Sequence, residues 1–116
     1  MIKRISHVMM WGQDLEKVSK WYKEKLGFSI GYYAPGEFLS LNHAEMGRLD
    51  FHATGDDRSN IGKGPMPYFI VDNIDEVKSW LEAKEIQVNV IQQVGDSPKH
   101  TWFWDCEGNV IGLEEF

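Results

Sequence analysis

The chain has 116 residues, 42% of them hydrophobic and 26% charged, with a formal net charge of −6. That balance excludes a disordered chain, and basic residues scattered among acidic ones exclude a nucleic-acid or anionic-membrane partner. No apolar run is long enough to span a bilayer, Met1 leads into Lys3 and Arg4 without a signal-peptide core, and the single cysteine, Cys106, excludes an intramolecular disulfide; the expectation is a cytoplasmic protein.

In chain order, residues 2–10 read as a first strand. Asp14 is a good N-cap, and Leu15, Val18, Trp21, Tyr22 and Leu26 then form one helical stripe over 14–26, stopped by Gly27. Three β-rich runs follow at 28–33, 37–42 and 48–53. In the last, alternation sends Leu49 and Phe51 toward a helix-covered core and Arg48, Asp50 and His52 to the opposite face. Residues 56–64, rich in Gly, Asp, Ser and Asn, have linker composition. A strand at 66–71 leads to Asn73 and a second stripe, Ile74, Val77, Trp80 and Leu81, with Glu76 at the third position of a capping box. Runs at 86–91, 99–104 and 109–114 close the chain.

Sliding Asp14 onto Asn73 also brings Leu15 onto Ile74, Val18 onto Val77, Trp21 onto Trp80 and Lys25 onto Lys84. The chain therefore repeats itself. The expected fold is α+β: one domain over 1–116, built from two βαβββ half-modules (1–55 and 65–116) in tandem, whose paired, curved mixed sheets surround a cleft.

His7-Val8, then Asp14-Leu15-Glu16-Lys17 through Trp21-Tyr22 to Leu26-Gly27-Phe28, resemble the opening of the vicinal oxygen chelate superfamily, which includes glyoxalases, bleomycin-resistance proteins and extradiol dioxygenases. The run from Pro67 to Glu76 resembles that superfamily's fifth strand and second helix. Asp105-Cys106-Glu107-Gly108-Asn109 followed by Val110-Ile111-Gly112-Leu113 resembles its closing turn and strand, in a branch described as related to lactoylglutathione lyase. Gly108 suits a positive φ there.

In metal-dependent relatives the resemblance implies four ligands, typically His, Glu, His and Glu, from the first, fourth, fifth and eighth strands. His7 stands at the first position and Asp50 at the fourth-strand position. The repeat carries them to Met66 and Gly112, a thioether unsuited to a hard ion and a residue with no side chain. No cofactor is expected on this count. The alternative is a divalent metal (Zn, Ni, Mn or Fe) held in a rebuilt site by His7, Asp50 or His52, and Glu114.

Five tryptophans are more than a core of this size readily buries. Trp21 and Trp80, on helix stripes, are assigned to the core. Trp102 and Trp104 alternate on the seventh strand and Trp11 ends the first, where a flat ligand can stack; His43 and His100, beside turns, are assigned to solvent.

Two functions stay open. The first is a small-molecule-binding protein or metal-independent enzyme whose cleft, lined by His7, Asp50, His52, Met66, Tyr68, Trp102, Trp104 and Glu114, takes a partly aromatic or cationic compound, as bleomycin-resistance proteins sequester theirs. The second is a metal-dependent lyase or dioxygenase in which His7, Asp50 and Glu114 are the catalytic groups. Open sheet edges add the expectation of a homodimer.

Overall fold

The computed structural model describes residues 1–116, which form two compact units, residues 1–63 and 64–116. In the first, β1 (Val8–Gly12) runs into helix α1 (Leu15–Leu26), followed by β2 (Ser29–Ala34), β3 (Phe38–His43) and β4 (Gly47–Ala53). The sheet order is β1-β4-β3-β2, with β1 parallel to β4 and the other pairs antiparallel. The Asp14 side chain accepts the Lys17 N–H at 3.1 Å and so starts α1. The helix buries Leu15, Val18, Tyr22 and Leu26 on the same side as Leu39, Leu41, Leu49 and Phe51, all at most 6% exposed. The Tyr22 ring meets Phe51 and Phe28 at centroid distances of 5.2 and 5.6 Å.

The second unit holds β5 (Tyr68–Val71), α2 (Ile74–Glu82), β6 (His100–Trp104) and β7 (Val110–Glu115), in sheet order β5-β7-β6. Asn73 caps α2 by accepting the Glu76 N–H, and the Ile74 N–H donates to the Glu115 carboxylate at 2.9 Å. The closing turn is built around Asp105. Its Oδ1 accepts the N–H groups of Glu107, Gly108 and Asn109 at 2.8–3.0 Å, while Oδ2 takes the Asn109 amide. Gly108 has φ +100°, where a Cβ crowds the backbone. Gly108→Ala should therefore cost about 1–2 kcal/mol by strain alone, measured by urea denaturation; an unchanged midpoint would contradict the assignment.

Both halves follow the expected βαβββ order, with three departures. The strand expected over 2–10 starts only at Val8, opposite Leu49; in that register Gly47, where β4 begins, lies opposite Ser6, so the residues before Ser6 have no partner strand, and Ile2 and Ile5 are exposed. The strand expected at 86–91 is reduced to two isolated bridges, Val88↔Phe103 and Gln92↔His100. Between them the pairing slips by one residue, and the Thr101 hydroxyl donates toward the carbonyls of Asn89 and Val90 at 2.8 and 3.2 Å. Trp80 is not a core residue: it is 48% exposed, with Lys84 Nζ 3.7 Å above its ring.

Candidate functional site

The face of the first unit's sheet opposite α1 carries alternate residues of β3 and β4: Phe38, Ser40 and Asn42 beside Arg48, Asp50 and His52. Cross-strand register pairs Phe38 with His52, Ser40 with Asp50 and Asn42 with Arg48. Asp50 is its buried centre, with no exposed surface. Arg48 grips it with two bonds, Nε to Oδ1 at 2.9 Å and Nη2 to Oδ2 at 2.6 Å, and His7 Nε2 stands 3.5 Å from Oδ2. Burial by itself raises the Asp50 pKa; hydrogen bonds from Arg48 and Ser40 and the charges of His7 and Arg48 outweigh it and leave the carboxyl below its ordinary value.

Beyond this polar end the face becomes aromatic. A row of rings crosses all four strands, Trp11 to His52 at 5.8 Å, His52 to Phe38 at 5.0 Å and Phe38 to Tyr32 at 6.2 Å between centroids. Between the two ends lies an open pocket of about 420 Å³, lined by Gly31, Tyr32, Phe38, Ser40, Asn42 and Arg48. Volume and lining suit a small organic molecule.

In the second unit, Tyr68, Gly112 and Trp102 lie in one row across β5, β7 and β6, with Ile70, Glu114 and His100 in the next. The Tyr68 ring sits on Gly112 so closely that a Cβ there would lie 2.5 Å from its Cδ2 and Cε2. Trp102 and Trp104 share this face and are half-buried, whereas Phe103 between them is 1% exposed. Met66, 38% exposed, precedes β5.

The structure thus brings His7 to Asp50 and puts His52 elsewhere, within the aromatic row. His43 and His100 are half-buried rather than solvated. The His43 Nδ1 accepts the N–H groups of Glu45 and Met46 at 3.1 and 3.0 Å.

The donor set does not fit the divalent ion that the resemblance implies. Both Asp50 oxygens accept bonds from a guanidinium, so an ion would have to displace a cation already in place. Gly112 has a ring where a carboxylate would go. No three His, Cys, Asp or Glu side chains gather into a metal-holding group.

Sequence reading placed Arg48 on this face without giving it a role, and it missed Ser40, Asn42, Phe38 and Tyr32 altogether. The available signal was the pairing of alternate β3 and β4 positions, which needs the hairpin register.

The glyoxalase/bleomycin resistance protein/dioxygenase superfamily model matches residues 4–111. No curated protein matches the chain by sequence. Among solved structures, a glyoxalase family protein from Enterococcus faecalis is similar at 23% identity and a TM-score of 0.80, covering 97% of this chain and 98% of its own. TnmS3, an antibiotic binding protein from Streptomyces sp. CB03234, is 20% identical with a TM-score of 0.76, covering 98% and 96%. The fosfomycin resistance protein FosX from Listeria monocytogenes, complexed with Mn(II) and a dihydroxypropylphosphonic acid, is 14% identical with a TM-score of 0.76, covering 98% and 90%. These three likenesses speak for the fold, and the family match over 4–111 says more: the chain belongs to the glyoxalase/bleomycin resistance protein/dioxygenase superfamily.

Proposed function

We propose that this protein binds a small organic compound on the face of its sheets opposite the helices, without a metal at the family's ligand positions, and acts by sequestration. The observation that carries the reading is the Arg48–Asp50 pair. It occupies the carboxylate a metal would need while the neighbouring pocket stays open between polar and aromatic walls. The antibiotic binding by TnmS3, a protein of the same fold, supports the same class of activity. His52 in the ring row and Met66, Tyr68, Trp102 and Trp104 in the second unit are the ligand-facing residues of this proposal. The chain works as one domain made of half-modules 1–55 and 65–116, as a cytoplasmic homodimer; the unpaired sheet edge at β2 supports the dimer.

A second reading is a metal-dependent lyase or dioxygenase, supported by the approach of His7 to Asp50 and by Mn(II) in FosX. There His7, Asp50 and Glu114 would move the proton in a site rebuilt with His52.

A thermal-shift panel of antibiotics, aromatic acids and cations, thiol conjugates and divalent metals, run with and without chelator, separates the two. A binding compound at a hundred times its Kd should stabilise the native state by about 2.7 kcal/mol, unchanged by chelator. One tightly bound ion per chain, lost on His7→Ala, would overturn the first reading and promote the second.

A further inference from the structure

We infer that the pocket beside Arg48 is a site for a flat aromatic carboxylate, with the acid group on Arg48 and Asn42 and the ring system against Tyr32 and Phe38. This rests on the proposal that the first unit's sheet face binds a small molecule, and it names the ligand class. Arg48 is the only charged residue lining the pocket. Its Nε and one N–H of Nη2 are held by Asp50, which lies fully buried behind it; Nη1 and the other Nη2 hydrogen have no protein partner. A guanidinium has five donors in a rigid plane, so fixing one edge on Asp50 sets the direction of the other.

Asn42 faces Arg48 across the β3–β4 register, and its side-chain amide, likewise without a protein partner, packs against Gly31, where only a missing Cβ leaves room. Two donors therefore converge on the mouth of one cavity, and acceptor oxygens complete them. On the other side, the Tyr32 and Phe38 rings, 6.2 Å apart between centroids and inclined at 46°, form an angled aromatic wall against which a planar group can pack by face to one ring and edge to the other. The negative net charge of the chain suggests a cationic ligand, but locally a cation would meet the guanidinium, and the nearest carboxylate is already paired. Because Asp50 offsets the charge of Arg48, recognition relies on short charge-assisted bonds more than on long-range attraction.

The test is calorimetric titration of the full chain with three probes of one shape: 2-naphthoate, 2-naphthamide and 2-naphthylmethylammonium. Naphthoate should bind at least about ten-fold more tightly than the amide, the worth of one charge-assisted hydrogen bond, and the ammonium should not bind. Asn42→Asp, at an exposed position, exchanges a donor for a repelling charge and should weaken naphthoate by about ten-fold or more while leaving the amide within about two-fold. Arg48→Lys, which keeps the charge and loses the fork, should weaken naphthoate several-fold. Equal binding of all three probes, preference for the ammonium, or indifference of naphthoate to Asn42→Asp would overturn the ligand class and leave small-molecule binding standing. Silence from all three together with a non-carboxylate hit in the thermal-shift panel would do the same. Silence from every compound in both experiments would sink both.

Discussion

Replacing Arg48 by Gln is expected to destabilise the protein by about 2–4 kcal/mol at pH 7, with the cost arising at Asp50 rather than at the half-exposed guanidinium. Asp50 has no exposed surface, and Arg48 supplies two of its hydrogen bonds. Without them the carboxylate stays charged and poorly paired, or it takes a proton. Protonating a carboxyl of ordinary pKa at pH 7 costs about 1.4 kcal/mol per pH unit, or about 4 kcal/mol in all, and that caps the effect. The sign of the pH dependence follows. In the parent protein Asp50 titrates below its ordinary value, so its stabilisation is present above the unfolded pKa and is lost as pH falls through the folded one. In Arg48→Gln burial prevails and raises the Asp50 pKa, so that variant loses stability as pH rises above the unfolded value. The gap between the two proteins should therefore be widest near pH 7 and narrow on acidification through the carboxylate range. Urea denaturation at several pH values measures it. A gap independent of pH would place the cost elsewhere, and Arg48→Gln with Asp50→Asn, which removes the orphaned charge, should recover a large part of it.

The helices and most strands were legible because their signals are local. Asp14 and Asn73 cap their helices through their own side chains three residues on, and Leu49 and Phe51 alternate with Arg48 and Asp50 within a single strand. What the sequence hid depends on partners far along the chain. The 86–91 segment alternates like a strand, yet the slip between Val88↔Phe103 and Gln92↔His100 breaks it, and one-residue slips leave no mark in periodicity. Trp80 sits on the apolar stripe of α2, but a ring so large finds no room beneath a short helix and lies under Lys84 instead.

The site was half legible for the same reason. His7 and Asp50 were expected on one face by resemblance, and the structure brings them to 3.5 Å. The guanidinium that takes over Asp50 stands two residues away in plain view. Its effect depends on a rotamer that turns Arg48 along the strand toward Asp50, with Ser40 opposite in the hairpin register. Composition carries no information on this pocket: net charge is a property of the whole surface, whereas the pocket beside Arg48 is lined by a single charged residue, of the opposite sign.

Gly112→Glu should cost about 3 kcal/mol, and about half of that should vanish when Tyr68 is shortened. Gly112 is buried in the central strand of the second unit's sheet, paired with Tyr68 on one side and Trp102 on the other, so its backbone has no direction in which to retreat. An added Cβ would lie 2.5–2.6 Å from three atoms of the Tyr68 ring, well inside contact distance. The ring must therefore swing out, giving up its packing on the sheet. Tyr68 is 47% exposed, and Tyr68→Ala alone should cost only about 1 kcal/mol, mostly buried ring area. The double variant Tyr68→Ala, Gly112→Glu should then be more stable than the sum of the single changes allows, with a coupling of about 1–2 kcal/mol in a denaturation cycle. Additive effects would show that the ring is not what forbids a side chain at Gly112. The coupling bears on function, because Gly112 stands where the family resemblance implies a metal-binding glutamate. If the cycle is coupled, ring and carboxylate are alternative occupants of one space, and Gly112 is half of a packed pair rather than a ligand position that has merely lost its side chain. Restoring the family's donors would then require removing Tyr68 as well as changing Met66 and Gly112, and Arg48 would still hold Asp50.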